Sequence, residues 1–142
     1  MIRILVTGSR AWTSYRTIAE ALDEVIDESG GDMLLVHGGC PTGADAIAGR
    51  IWRRWMTTFP RLIEPEVHEA KWGHCADACP LGHRRQRGGG TYCPLAGFRR
   101  NAEMVDLGAY TCLAFPLGAS PGTRHCMRLV EAAGIPLRVF EG

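Results

Sequence analysis

Apolar positions along the chain fall into two kinds of block, continuous short runs and runs at helical spacing, and the two kinds alternate. Ile2 to Thr7 is a continuous run ending at Gly8-Ser9-Arg10, the form of a strand buried on both faces with a turn at its carboxyl end. From Ser14 or Tyr15 to Glu28, the positions Ile18, Leu22, Val25 and Ile26 recur at helical spacing, and Gly30-Gly31 stops the helix. Met33 to Val36 predicts a second strand. His37-Gly38-Gly39-Cys40-Pro41-Thr42-Gly43 then forms a turn into a helix from Ala44 to about Met56. Phe59-Pro60 breaks the chain, and Glu64 to Ala70 predicts a weaker third strand. Helical spacing returns from Phe98 to Leu107. Tyr110 to Phe115 is a strand, Pro116 to Gly122 a turn, Thr123 to Ala133 a helix stopped by Gly134, and Pro136 to Phe140 a last strand. This alternation predicts an α/β fold: one doubly wound domain over residues 1–142, with a mostly parallel five-stranded sheet and helices on both faces.

In such a sheet ligands bind beyond the carboxyl ends of the strands, where the strand order reverses. Four segments are expected to reach that rim: Gly8, Ser9 and Arg10; Gly38, Gly39, Thr42, Gly43 and Asp45; the insertion with Arg99-Arg100-Asn101, of which Arg99 and Asn101 are the candidate ligand residues; Gly118, Gly122 and Thr123. The glycines allow close approach to the backbone, a helix N-terminus attracts an anion, and arginine offers a planar fork of donors. These groups suit a phosphate-bearing ligand, with Asp45 or Asn101 placed to hydrogen-bond ribose or base. Ser9, Thr42 and Thr123 also suit the simpler role of helix caps. Neither a Walker A loop nor a G-x-G-x-x-G fingerprint is present.

Lys71 to Leu95 breaks the alternation. It has no sustained apolar period and contains Pro80, Gly82, Gly88-Gly89-Gly90 and Pro94, which predicts an irregular insertion at about residues 72–95. Within it, Cys75-x3-Cys79-x3-His83-x9-Cys93 offers three thiolates and one imidazole, the donor set of a tetrahedral structural Zn²⁺ site. His74 is an alternative to His83 as the imidazole. A closed four-ligand site leaves no open position for water and so has no catalytic role. Cys40, Cys112 and Cys126 stand singly and read as small core residues. Arg84, Arg85, Arg87 and Arg99 would be fixed near the rim if the insertion folds back over it, and Trp72 and Tyr92 flank the knuckle.

Composition alters this picture little. With 46% hydrophobic and 22% charged residues the chain is of ordinary globular type. A formal charge of +1 gives no general attraction to nucleic acid, although the arginines could make a local patch. No apolar run approaches the roughly 20 residues of a membrane helix. The N-terminal strand shows no secretory signal, so cytoplasmic localisation with reduced cysteines is expected.

Val6-Thr7-Gly8-Ser9-Arg10 with Trp12, His37 through Asp45, and Ala96-Gly97-Phe98-Arg99-Arg100-Asn101 with Met104 together resemble the YspA/cpYpsA-related branch of the SLOG superfamily. The resemblance covers nearly the whole chain outside the insertion. It implies a Rossmann-like fold and a nucleotide or nucleotide-derived small molecule as ligand, sensed or processed. Wider relatives include LOG-type nucleoside monophosphate phosphoribohydrolases and the DNA-processing protein DprA. The LOG pattern of Pro-Gly-Gly, two residues, Gly-Thr and then a Glu departs here: Phe115-Pro116-Leu117-Gly118 precedes Pro121-Gly122-Thr123-Arg124-His125, so His125 stands where the acid would be. Imidazolium cannot supply the negative charge that an oxocarbenium-like transition state needs, and Asp45 or Glu103 would have to substitute. Catalytic residues are therefore unassigned. N-glycosidic hydrolysis and DprA-like nucleic-acid binding through the arginine-rich insertion stand as alternatives, and the amphipathic helices leave room for a homo-oligomer.

Overall fold

The computed structural model describes residues 1–77, 79, 80, 82–88 and 90–142, with Arg87 described by its backbone alone. The expectations for Gly89 and for the Arg87 side chain therefore lie outside the described residues. Five strands, β1 (Ile2–Gly8), β2 (Met33–His37), β3 (Leu62–Val67), β6 (Thr111–Phe115) and β7 (Leu137–Val139), form one parallel sheet in the order β3-β2-β1-β6-β7. Among the described residues four helices cover it: α1 (Tyr15–Glu28), α2 (Gly43–Met56), α3 (Ala96–Asp106) and α4 (Pro121–Ala132). The insertion, expected to be irregular, contains two paired strands among its described residues. Arg85–Arg87 (β4) and Gly90–Tyr92 (β5) pair as an antiparallel hairpin.

Alternation along the central strands divides the core into two layers. Ile4 and Val6 of β1, Met33 and Leu35 of β2, and Leu113 and Phe115 of β6 face α1 and α2, where Ile18, Leu22, Val25, Ile47, Ile51 and Trp52 meet them. Leu5, Leu34, Val36 and Cys112 face the other way, against Met104 and Val105 of α3 and Cys126 and Val130 of α4. Where a strand is buried on both faces, as at Ile4, Leu5 and Val6 of β1, it is apolar at successive positions, which is why these stretches do not alternate with polar residues. Burial raises the thiol of Cys112 and pushes Cys126 up to about 11, so both are packing groups.

The chain moves outward from β1 to β2 and β3, then returns through the insertion and α3 to place β6 on the other side of β1. The reversal therefore lies between β1 and β6. Ser9 N–H donates to Phe115 O at 2.9 Å and locks the two strand ends together at that point.

Across the outer half of the sheet, Arg3 on β1 donates through both terminal nitrogens to Glu66 on β3, at 2.6 and 3.0 Å. The hydrogen bonds from Arg3 come first among the causes that hold the Glu66 carboxyl at about 2, with His68 assisting against burial. A carboxyl depressed in the fold contributes stability above its unfolded pKa and loses it as pH falls through the folded value. Acid titration of the parent should thus show destabilisation from near pH 4.5 down to about 2. Glu66→Gln should flatten that part of the pH–stability curve, and an unchanged acid limb in the variant would remove Glu66 as its source.

Candidate functional site: a cleft walled by the insertion

The stretch after β2 serves first as structure. Asp45, in the first turn of α2 and buried, accepts from Gly38 N–H at 3.1 Å and Cys40 N–H at 3.5 Å through Oδ2, and so folds the Gly-rich turn back on the helix start. Its Oδ1 is buried with no hydrogen-bond partner among the described residues. His37 Nδ1 accepts from Gly39 N–H at 3.0 Å, and burial, the largest cause, lowers this imidazole's pKa and favours its neutral form. Ala44 N–H at the start of α2 donates to Ser9 O at 3.1 Å. The β1 turn packs there so closely that a Cβ on Gly43 would lie 2.2 Å from that oxygen, and Gly43 itself has φ +75°. Gly8 is equally confined, since a Cβ would fall 2.4 Å from that of Ala44.

Beside this support, at the β1–β6 reversal, lies a cleft of about 440 Å³. One side is built by the domain: Ser9 and Arg10 after β1, and Ser120 to Thr123 at the start of α4. Pro121 opens α4 and no side chain caps it, so the Gly122 and Thr123 amides have no intrahelical acceptor. These amides and the helix dipole make that end of the cleft suitable for an anion. Asn101 of α3 donates to Gly122 O at 3.1 Å and lies 3.3 Å from His125 Nδ1, tying α3 to the same turn. The His125 ring packs against Phe98 with centroids 4.3 Å apart, and burial followed by Arg128 lowers its pKa.

The other side comes from the insertion and α3. Trp72, Arg85, Tyr92 and Pro94 face Ser9 and Ser120 across the cleft, with Phe98 and Arg100 between. The Arg10 guanidinium rests 5.6 Å from the Trp72 ring, and Trp72 meets Tyr92 edge to face at 6.0 Å. Arg100 is held by Gly38 O at 2.7 Å and by its own neighbour Asn101. Three guanidiniums and a helix N-terminus thus surround aromatic faces. No carboxylate lines the cleft among the described residues. Glu103 instead lies 3.5 Å from His68 Nδ1.

The residues singled out by sequence therefore divide. Ser9, Arg10, Asn101, Gly122 and Thr123 meet in the cleft. Gly38 and Gly39 line an adjoining depression of about 450 Å³, which shares Arg10, Trp72 and Arg100 with the cleft. Gly8, Gly43 and Asp45 build the support beneath, while Thr42 stands exposed at the N-cap of α2 with no side-chain cap hydrogen bond. Gly118, at φ +56°, shapes the turn before α4, and its carbonyl accepts from Arg124 at 2.8 Å. Arg99 turns away from the cleft. Its neighbour Arg100 enters it, because successive helical residues point about 100° apart. Arg100 lies in the Arg99-Arg100-Asn101 segment that the sequence places at the rim, whereas nothing in the sequence singles out Pro94 and Phe98 as cleft residues.

Cys75, Cys79, His83 and Cys93 form a cluster whose donor atoms all lie within 4.8 Å of one another. Cys79 Sγ is 4.0 Å from Cys93 Sγ, while His83 Nε2 is 3.1 Å from Cys75 Sγ and 3.5 Å from Cys93 Sγ. Thiolates at about 2.3 Å from a tetrahedral ion stand roughly 3.8 Å apart, so these side chains could hold a metal ion. His83 supplies the imidazole of this cluster, whereas His74 offers its carbonyl to Arg99 at 2.7 Å. Arg99 also donates to Cys79 and Cys93 at 3.4 Å each, and Arg84 to Cys75 at 3.4 Å. Burial would raise the Cys93 thiol, but the hydrogen bonds from Arg99, the Leu95 backbone and the neighbouring thiols outweigh it and bring Cys93 to about 6. Cys93 is thereby favoured as a thiolate, the form that binds metal.

The model of the YspA, cpYpsA-related SLOG family matches residues 2–55, which span β1 through α2. The chain is 42% identical over 140 residues to the Gene 61 protein of Mycobacterium phage D29, covering 99% of this chain and 97% of that protein. Among solved structures, DNA processing protein A of Helicobacter pylori, which binds single-stranded DNA, superposes with a TM-score of 0.59 at 16% identity. The match covers 97% of this chain and 64% of that one, and it shows a shared fold. No described helix is long and apolar enough to cross a membrane. On its motifs, its parallel sheet and a relative matched nearly end to end, the chain belongs to the YspA, cpYpsA-related SLOG family.

Proposed function

We propose that this chain binds a nucleotide or nucleotide-derived molecule in the cleft between β1 and β6. The observation that carries the reading is the meeting of the uncapped α4 N-terminus with Arg10, Arg85 and Arg100 around the Trp72 and Tyr92 rings. Phosphate sits at the Gly122 and Thr123 amides within reach of the guanidiniums, and a base lies against the aromatic faces. The lack of a carboxylate among the described lining residues favours binding over LOG-like N-glycosidic hydrolysis, which needs one. The cysteine–histidine cluster holds a structural zinc ion, because three thiolates and one imidazole in a closed set suit that ion best.

Titration with AMP, the smallest probe carrying phosphate, ribose and base, tests this reading. Saturable binding is expected, with no adenine released on prolonged incubation. Arg10→Ala removes an exposed side chain, so stability should stay within about 0.5 kcal/mol of the parent. A charge-assisted hydrogen bond contributes about 1.5–3 kcal/mol, so AMP affinity should fall roughly tenfold or more. Equal affinity in parent and variant would place the phosphate elsewhere, and release of free adenine would establish a hydrolase.

A second reading rests on the same alternation of arginine and aromatic side chains, which also suits the backbone and bases of single-stranded DNA. The fold shared with the single-stranded-DNA-binding Helicobacter pylori protein is consistent with it. Retention of an oligonucleotide that weakens steeply with added salt would favour this reading, and absent or salt-insensitive retention would remove it.

A further inference from the structure

The insertion places its metal-ligating residues and its cleft-lining residues side by side. Trp72 lies three positions before Cys75, Arg85 two after His83, and Tyr92 and Pro94 immediately flank Cys93. Hydrogen bonds close this segment on itself. Cys93 N–H donates to Trp72 O at 2.7 Å, and Arg84 donates to Thr91 Oγ1 at 3.0 Å, Thr91 O at 3.1 Å and Gly73 O at 3.3 Å. No described residue from 72 to 92 belongs to either apolar core. The Trp72 ring packs over Gly97 of α3, but among the described residues the wall adds no side chain to either core. Its main fixed point is the four-donor cluster, joined to the domain through Cys93 and Arg99.

We propose that Trp72, Arg85 and Tyr92 contact the nucleotide and do so only while Cys75, Cys79, His83 and Cys93 hold their metal ion, so that metal occupancy sets the affinity of the cleft. The proposal rests on the nucleotide reading above. Without the ion, Trp72, Arg85 and Tyr92 must be ordered at the expense of ligand binding; with it, that ordering is already made. Linkage is reciprocal: a ligand that prefers the metal-loaded wall must also tighten the hold on the metal by the same factor. Arg84 and Arg99 belong to this clamp, while Arg85 and Arg100, their sequence neighbours, belong to the cleft.

The test uses the full chain loaded with one Zn²⁺ and titrated with AMP before and after the ion is removed by a chelator, its loss checked by native mass. Couplings of this kind typically change affinity about 5- to 150-fold. Removal should weaken AMP binding at least about fivefold by that standard, with the circular dichroism and melting of the five-stranded domain retained, and saturating AMP should slow zinc loss to the chelator. A Trp72→Ala/Tyr92→Ala variant should keep its zinc, bind AMP weakly, and show no further loss on chelation, because the residues that read the metal are gone. AMP affinity unchanged by zinc removal would overturn the linkage and leave the nucleotide reading standing. A loss that accompanies melting of the whole domain, or recurs undiminished in the double variant, would also overturn it. Failure of the zinc-loaded chain to bind AMP at all would overturn both.

Discussion

Replacing Gly43 by alanine should destabilise the fold by about 2–4 kcal/mol, the largest effect expected from a single added methyl group in this chain. Two causes add. The residue occupies the left-handed region at φ +75°, and the new Cβ would stand 2.2 Å from Ser9 O and 2.5 Å from Arg10 Cα. Both obstacles are backbone, so no side-chain rotation relieves them; the β1 turn or the start of α2 has to move. Since Ala44 N–H donates to the same Ser9 carbonyl, such a movement would also disturb the turn that presents Arg10. Thermal unfolding is the measurement, with a drop of roughly 10 °C for a domain of this size. Gly122→Ala is the informative control. Nothing lies within 4 Å of its would-be Cβ and its φ is not positive, so stability should be unchanged or slightly raised. A Gly43→Ala protein that melts with the parent would mean that the turn and the α2 start are not packed as described.

Cys93→Ser should abolish stoichiometric metal binding and release the insertion while leaving the five-stranded domain folded. Serine nearly preserves volume but replaces a soft thiolate by a hydroxyl that does not ionise at neutral pH, and the side chain is fully buried within the cluster. On the zinc site proposed above, native mass spectrometry should register the loss of about one metal ion per chain. Trypsin should then cut after Arg84 or Arg85, where the parent is protected by the hairpin and by the contacts of Arg84 to Gly73, Cys75 and Thr91. Cys40→Ser, outside the cluster, should keep the metal. Retention of a full complement of tightly held zinc by the Cys93→Ser variant would remove Cys93 from the ligand set.

The fold was legible because its signals are local and redundant. Ile2 to Thr7, Met33 to Val36 and Tyr110 to Phe115 are too short for buried helices and too uniformly apolar for exposed strands, which leaves the interior of a parallel sheet. Element ends were less legible: α4 starts at Pro121 rather than Thr123, because proline is tolerated in a first turn whose N–H groups would have no intrahelical acceptor anyway. The strand predicted at Glu64 to Ala70 forms instead at Leu62–Val67, where Leu62 packs into the core. The hairpin Arg85–Arg87/Gly90–Tyr92 was hidden in polar, Gly-rich sequence, since a two-stranded ribbon held by a side-chain cluster needs no apolar alternation.

What the sequence by itself determined is what depends on near neighbours along the chain. That includes the order of strands and helices, the glycine turns at strand ends, and the set of thiol and imidazole donors within one insertion. Tertiary structure alone decided which of the flagged residues share a site. Asp45 and Gly43 turned inward as supports, Arg99 joined the cysteines, and Arg100, Trp72 and Arg85 became the wall opposite the α4 N-terminus. The reason is geometric. A residue's role at a rim depends on the side to which the helix phase turns it and on which distant segment packs opposite, and both are set by long-range packing.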